Sequence, residues 1–320
     1  MKNLDFGRCA LGICAAAAML AGCGGSQPPI GATGAMPRSQ AITAHAKKSG
    51  SGELLYAGEQ NESGEVLVFS YPQGNLVQTL SGFGTPTWFL CSDASGDVFV
   101  PTTDRSSPGD IYEFAHGGSQ PIATLTDPGP GYAQSCSVDP TTGNLAVANG
   151  SNVAVYPNAQ GTPTIYEASD VGALDCAYDD SSDLFVDGDA YQNKIAELPA
   201  GGTSFSDIVL SEQMHTGHLQ WSDKRLVIEE PPASVKGPYQ IFQVRVSGSD
   251  GIVNGPVLLY GEDKHRGRQI VEFALSGGSM VMPDGPGYGL LNIWHYPEGG
   301  KHYRVISSGK NHFYGVAISK

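Results

Sequence analysis

Three stretches of the chain open on a cysteine and then repeat one phrase: CSDASGDVFV (91–100), CSVDPTTGNLAV (136–147) and CAYDDSSDLFV (176–186), each with an aspartate shortly behind the cysteine. Thiols in such a pattern could ligate a soft metal, form a disulfide or fill a core. Six carboxylates, Asp175, Asp179, Asp180, Asp183, Asp187 and Asp189, fall within residues 175–189. Calcium at DGDAYQN (187–193) is conceivable, but the EF-hand spacing and its closing Glu are missing, so the stretch reads as a solvated acidic rim. His215 and His218 have a zinc-like spacing without a nearby Cys and read as loop and lining residues. The stronger signatures are absent from the sequence: no G-x-S-x-G elbow, no H-E-x-x-H, no C-x-x-C and no Walker loop. GPGY (129–132) and DGPGYG (284–289) lack the strand-to-helix setting of a phosphate loop and read as turns.

The elements that must position these groups follow from composition. In 320 residues, 43 Gly and 21 Pro argue against long helices and for many turns, while 40 % hydrophobic residues suffice for a core. With 18 Lys+Arg against 32 Asp+Glu, the net charge of −14 repels phosphate backbones and makes nucleic acid an unsuitable partner.

The N-terminus carries Lys2 and Arg8 and then the apolar run CALGICAAAAML, too short to span a bilayer. LAGC (20–23) follows and resembles the bacterial lipobox, which implies that residues 1–22 are a lipoprotein signal peptide and that Cys23 becomes the lipidated mature N-terminus. Cleavage would leave 16 basic against 31 acidic side chains. Residues 23–52, dense in Gly, Pro, Ser and Ala, are expected to be a flexible tether. The expected location is therefore extracytoplasmic, lipid-anchored in the cell membrane or outer membrane. Cys9 and Cys14 leave with the signal, so Cys91, Cys136 and Cys176 remain, in a compartment where disulfides are possible.

From residue 53 to 320 a unit of about 45 residues recurs. One landmark is a strand ending near Pro and Gly, as in VFSYPQG (68–74), IAELPAG (195–201) and IWHYPEG (293–299); the other is the hairpin that opens the unit, which recurs as LQWSDKRLVI (219–228) and FALSGGSMVM (273–282). Three or four short strands per unit predict an all-β, six-bladed β-propeller. The first unit lacks an opening strand and HFYGVAISK (312–320) supplies one, so the C-terminal strand is expected to close the ring within the N-terminal blade.

CSVDPTTGNLAVAN (136–149) and QNKIAEL (192–198) resemble the NHL-type six-bladed propellers, with Lys194 in the Arg position. That resemblance implies architecture; the last two units depart most, Ser276 replacing the usual Asp. Taking the three cysteines as equivalent puts them in one column with Leu219, Phe273 and Val316, a packing column; equivalent positions on adjacent inner strands should lie beyond disulfide reach, about 7 Å between Cα atoms. Buried thiols are expected.

Hairpin polarity puts the residues before that column, Leu90, Ser135, Asp175, His218, Glu272 and Gly315, on the same face as the ends of the second strands, Glu59, Thr102, Asn149, Asp187, Glu229 and Asp284. The candidate ligand or metal set is thus Glu59, Asn149, Asp175, Asp187, His218, Glu229, Glu272 and Asp284, around a wet channel mouth. The weaker likeness to the gluconolactonase and senescence-marker group implies a divalent cation, Ca2+ or Mg2+, on Glu59, Asn149, Asp187 and Asp284, with no counterpart for that group's second Asn. The leading expectation is a monomeric, non-catalytic binding module for a protein, glycan or small molecule; the alternative is a divalent-metal-dependent lactonase or related hydrolase.

Overall fold

The computed structural model describes residues 52–59, 64–102, 109–128, 132–168, 170–188, 191–232, 237–261, 271–284, 289–309 and 312–320. The expected signal peptide, Cys23 and nearly all of the expected tether lie outside these residues. No helix among the described residues is long and apolar enough to cross a membrane.

Strands of two to eleven residues, joined by Gly-, Pro- and Asp-bearing turns, assemble into an all-β, propeller-like fold. β1 (Leu54–Glu59), β2 (Val66–Ser70) and β3 (Leu76–Leu80) form a four-stranded sheet with β25 (Phe313–Ser319) on the inner side. The expected closure is present: Leu54 pairs with Ser319 and the ladder runs to Gly58 opposite Gly315. Three further four-stranded sheets consist of β4 (Cys91–Ser92), β5 (Val98–Pro101), β6 (Gly109–Phe114) and β7 (Pro121–Asp127); of β8 (Ser135–Val138), β9 (Leu145–Ala148), β10 (Asn152–Tyr156) and β11 (Thr164–Glu167); and of β20 (Ala274–Ser276), β21 (Ser279–Pro283), β22 (Leu290–His295) and β24 (Arg304–Ser307).

The remaining sheet departs from the expectation of separate blades. β12 (Asp175–Tyr178), β13 (Leu184–Asp187), β14 (Tyr191–Leu198) and β15 (Ser206–His215) are continuous with β19 (Asp250–Tyr260), β18 (Tyr239–Ser247), β17 (Arg225–Glu230) and β16 (Leu219–Ser222). The two halves meet where Val209 and Leu210 pair in parallel with Asp250 and Gly251, and β23 (Gly300–Lys301) pairs in parallel with Leu259 and Tyr260. At ten and eleven residues, β15 and β19 are long enough to overreach their own units and meet.

Two devices turn the first strand of a unit into the second. Asp93 Oδ1 accepts the N–H groups of Ser95 (2.9 Å) and Asp97 (2.8 Å), Asp139 Oδ1 that of Thr141 (2.8 Å), and Asp179 Oδ1 those of Ser181 (2.7 Å) and Asp183 (2.9 Å). The carboxylate thereby replaces ladder partners that the turn lacks. β16–β17 and β20–β21 instead close through the two-residue loops Asp223–Lys224 (φ 50° and 61°) and Gly277–Gly278 (φ 57° and 75°). Both central residues of these loops are left-handed, so the strands rejoin directly and no capping carboxylate is needed. That is why Ser276 can stand where other units have Asp.

The cores lie between facing sheets. Leu55, Phe69 and Ile318 pack on Val281, Leu291 and Ile293 and so seal the last sheet to the first; Phe185, Ile195 and Leu210 pack on Leu226, Ile228 and Val244 across the long sheet. Each of β4, β8, β12, β16, β20 and β25 ends its sheet, so their free edges converge on one axis.

Candidate functional site

The turn-capping aspartates set the true register of the axis. Cys136 and Cys176 stand three residues before Asp139 and Asp179, but Cys91 stands two before Asp93. The residue equivalent to Cys136 and Cys176 is therefore Leu90, and Cys91 is equivalent to Ser137 and Ala177. A one-residue step along a strand turns a side chain to the opposite face. Cys136 faces back toward Phe99 in the preceding sheet, whereas Cys91 faces forward, and the two meet as a disulfide with Cα atoms 5.6 Å apart. The expectation of three free thiols is corrected here: equivalent cysteines point the same way and cannot meet, but these two are not equivalent. Among the described residues Cys176 alone is free; it is buried and its Sγ donates to Ala146 O at 3.9 Å. Burial, with Asp175 beside it, pushes its thiol well above the usual range.

The same shift corrects the ring that precedes this column. Its members are Phe89, Ser135, Asp175, His218, Glu272 and Gly315, with Phe89 in place of Leu90. Four of the six inner strands present an N–H group to two carboxylates at the axis. Asp175 accepts the Cys176 N–H at Oδ1 (2.8 Å) and the Leu219 N–H at Oδ2 (2.5 Å), together with the Ser135 hydroxyl. Glu272 Oε2 accepts the Leu90 N–H (2.8 Å) and the Val316 N–H (2.6 Å). His218 Nδ1 lies against Asp175 Oδ2, and its ring stands edge-on between Phe273 (4.7 Å) and Phe89 (5.6 Å). At Gly315 a side chain is excluded, because a Cβ would lie 1.9 Å from Trp88 O. Burial, with Asp175 adding repulsion, pushes the Glu272 carboxyl well above the ordinary range against the pull of its two N–H donors.

None of the eight candidates is more than 5 % exposed, so the expected wet mouth is instead a buried floor. The structure brings Asp175 and His218 into contact, with Glu272 close enough to feel the Asp175 charge. Asp187 is the cross-strand partner of Asp175, and Glu229 donates its N–H to His218 O at 2.9 Å. Asn149 and Asp284 stand one residue further along, after Ala148 and Pro283, and so turn to the other face of their strands, while Glu59 follows a register shift after Gly58. There Asn149 Nδ2 donates to Asp127 Oδ1 (3.1 Å) and Asn152 Oδ1 (3.3 Å), and Asp284 Oδ1 caps Leu290 N–H (3.1 Å). The carboxylates and amide of the lactonase-like set therefore divide between two strand faces, and among the described residues no group of three or more His, Cys, Asp or Glu is arranged to hold a metal ion. His215 lies on β15, where its N–H donates to Glu230 Oε1 (2.8 Å), apart from the axial His218.

Ser135, Asp175 and His218 have the residue types of a hydrolytic triad but another order: Asp175 sits between the other two, so the Ser135 hydroxyl donates to a carboxylate and not to the imidazole, and the serine–histidine contact of that triad is not formed.

Above the floor the axis widens into a cavity of about 380 Å3, walled by the edges of β4, β8, β12, β16, β20 and β25. Its rim comprises Ala94, Pro140, Asp180 and Lys320, all exposed, so it opens on the face of the hairpin turns, opposite to the expected one. Trp221, half-buried and stacked on Phe185 with parallel rings at 5.8 Å, forms part of the wall. Sequence reasoning passed over Phe89 and Trp221 and placed Phe273 only in a packing column; aligning the units on their aspartates would have found the first.

No known protein family profile and no curated protein sequence matches the chain. Solved structures do. A chain from a nidogen/laminin complex superposes with a TM-score of 0.61 at 12 % identity, covering 84 % of this chain and 99 % of that one. A protein of unknown function from Bacteroides caccae gives 0.61 at 11 % identity, with 84 % and 100 % covered. Kuenenia stuttgartiensis hydrazine synthase gives 0.51 at 10 % identity, with 72 % and 70 % covered. Likeness at this level of identity establishes the β-propeller fold and nothing finer.

Proposed function

We propose that the chain is a membrane-anchored extracytoplasmic lipoprotein, lipidated at Cys23, whose monomeric six-bladed propeller, NHL-like in its repeat, is a non-catalytic binding module. The observation that carries the reading is the division of the axis: Asp175 and Glu272 are engaged by strand N–H groups and His218, while a cavity faces solvent at the other end. Such a pocket suits recognition more than bond-breaking.

A count of six is supported by reading the nine-stranded sheet as two four-stranded units fused along two residue pairs. It is also supported by six hydrophobic clusters among the described residues, one between each neighbouring pair of units. The extracytoplasmic location is supported by the Cys91–Cys136 disulfide, a bond that persists in oxidising compartments. The anchor is tested by expressing Cys23→Ala with a labelled fatty acid. The substituted protein should carry no label and remain an uncleaved precursor; label on the substituted protein would defeat the lipoprotein reading.

A further inference from the structure

We propose that the axial cavity is a binding site for a neutral saccharide of one or two rings, an inference that rests on the binding-module reading. Size comes first. At about 380 Å3 the cavity falls at the lower end of the range for small-ligand sites, about 300–1,000 Å3.

Charge excludes ionic ligands. An ion entering a low-dielectric channel needs an opposite charge to replace its water. The floor offers none: Asp175 is held by His218 and three hydrogen bonds, and Glu272 by two strand N–H groups. At the rim Asp180 and Lys320 oppose one another in sign, and the Asp93 Oδ1 atom is engaged by its own turn.

Polarity excludes hydrocarbons. The wall consists of strand edges that end their sheets, linked by side chains where Ser92 Oγ donates to Ile318 O (2.8 Å) and Tyr178 N–H donates to Ser137 Oγ (3.0 Å). An apolar ligand would cost about 1–3 kcal/mol for each edge group it parts from water without a hydrogen bond. A saccharide meets both demands. Its hydroxyls donate and accept along the edges, and its C–H faces lie on Trp221, whose plane is fixed by Phe185, and on half-buried Val138 and Leu275.

The experiment is calorimetric titration of the purified chain with glucose, galactose, N-acetylglucosamine, maltose, lactose and chitobiose, with spermidine and citrate as charged probes. At least one sugar should bind in the millimolar range or tighter, with a tryptophan emission change that disappears in Trp221→Phe. Affinity should fall about tenfold or more in Val138→Trp, which fills the cavity, and in Ala94→Trp, which crowds its mouth from an exposed position. Should Val138→Trp fail to fold, Ala94→Trp decides alone. Silence from all six sugars, or binding unaltered in the folded variants, overturns the proposal. Spermidine or citrate seated in the cavity while the sugars fail would remove the saccharide and leave the binding module standing. A sugar that binds and is converted to a new species by NMR would keep the saccharide and remove the non-catalytic reading.

Discussion

The two ends of the axial channel are built from the same six strands and differ in how their polar groups are answered. At the floor, Asp175 and Glu272 gather four strand N–H groups, His218 closes against Asp175, and Phe89 and Phe273 flank the imidazole ring. At the mouth, Ala94, Pro140, Asp180 and Lys320 stand in solvent and the strand edges behind them face a cavity. The lesson is that a cluster of carboxylates is not by itself a working site. Converging N–H groups create a positive concavity that an internal anion can fill, and where that has happened the chemistry is structural. Function is then to be sought where polar groups still face solvent.

The contrast can be broken first at the covalent link that ties β4, a strand of two residues, to β8. A disulfide closing a loop of 45 residues is worth about 4 kcal/mol in the chain-entropy account. Cys91→Ser with Cys136→Ser should therefore lower the melting temperature by many degrees, and reductant should do the same to the native chain but not to the double variant. Next is the floor's packing. Gly315→Ala thrusts a methyl group at the Trp88 carbonyl and should cost about 1–3 kcal/mol in denaturant titration, whereas Ala94→Ser at the mouth should cost under about 0.5 kcal/mol.

A third effect is pH-dependent. Glu272 has its carboxyl raised in the folded state, so the fold binds that proton more tightly than the unfolded chain does. The resulting stability is fully present below the unfolded carboxyl value of about 4.3 and is lost as pH rises through the raised folded value. Glu272→Gln cannot titrate and should flatten that part of the stability–pH curve. The smallest expected effect is that of divalent ions. With Asp175 and Glu272 engaged by N–H groups, Ca2+ or Mg2+ added to chelated protein should leave the melting curve in place; a rise that Asp187→Asn and Asp284→Asn abolish would instead support the cation site of the lactonase alternative.

Much of this was legible in the sequence. The recurring Cys-to-Asp phrases mark the hairpins, and the missing first strand before Leu54 with the spare one after His312 gives the closure seen in the β1–β25 ladder. The floor was legible in its membership but not in its role, since Asp175, His218 and Glu272 were found while their burial was not. Whether a ring of polar side chains is wet or sealed depends on which backbone groups it meets, and three-dimensional convergence of N–H groups leaves no trace in residue order. The disulfide was missed for a simpler reason. Matching cysteine to cysteine hides the one-residue offset before Asp93 and so hides the direction in which Cys91 points. The fusion of β15 with β19 depends on strand overreach at the outer rim, where exposed Val209 and Ile252 carry no pattern that marks it.

The most direct measurement compares Glu272→Ala with Glu272→Gln by denaturant titration. If the carboxylate exists to receive strand edges, alanine leaves the Leu90 and Val316 N–H groups unpaired in a buried place and should cost about 3 kcal/mol or more, while the glutamine oxygen can still accept them and should retain most of the stability. Groups held for chemistry behave in the opposite way, since their removal commonly relieves strain and stabilises a fold. An alanine variant as stable as the native chain, or more so, would contradict the account of the floor and return Glu272 to the list of candidate functional groups.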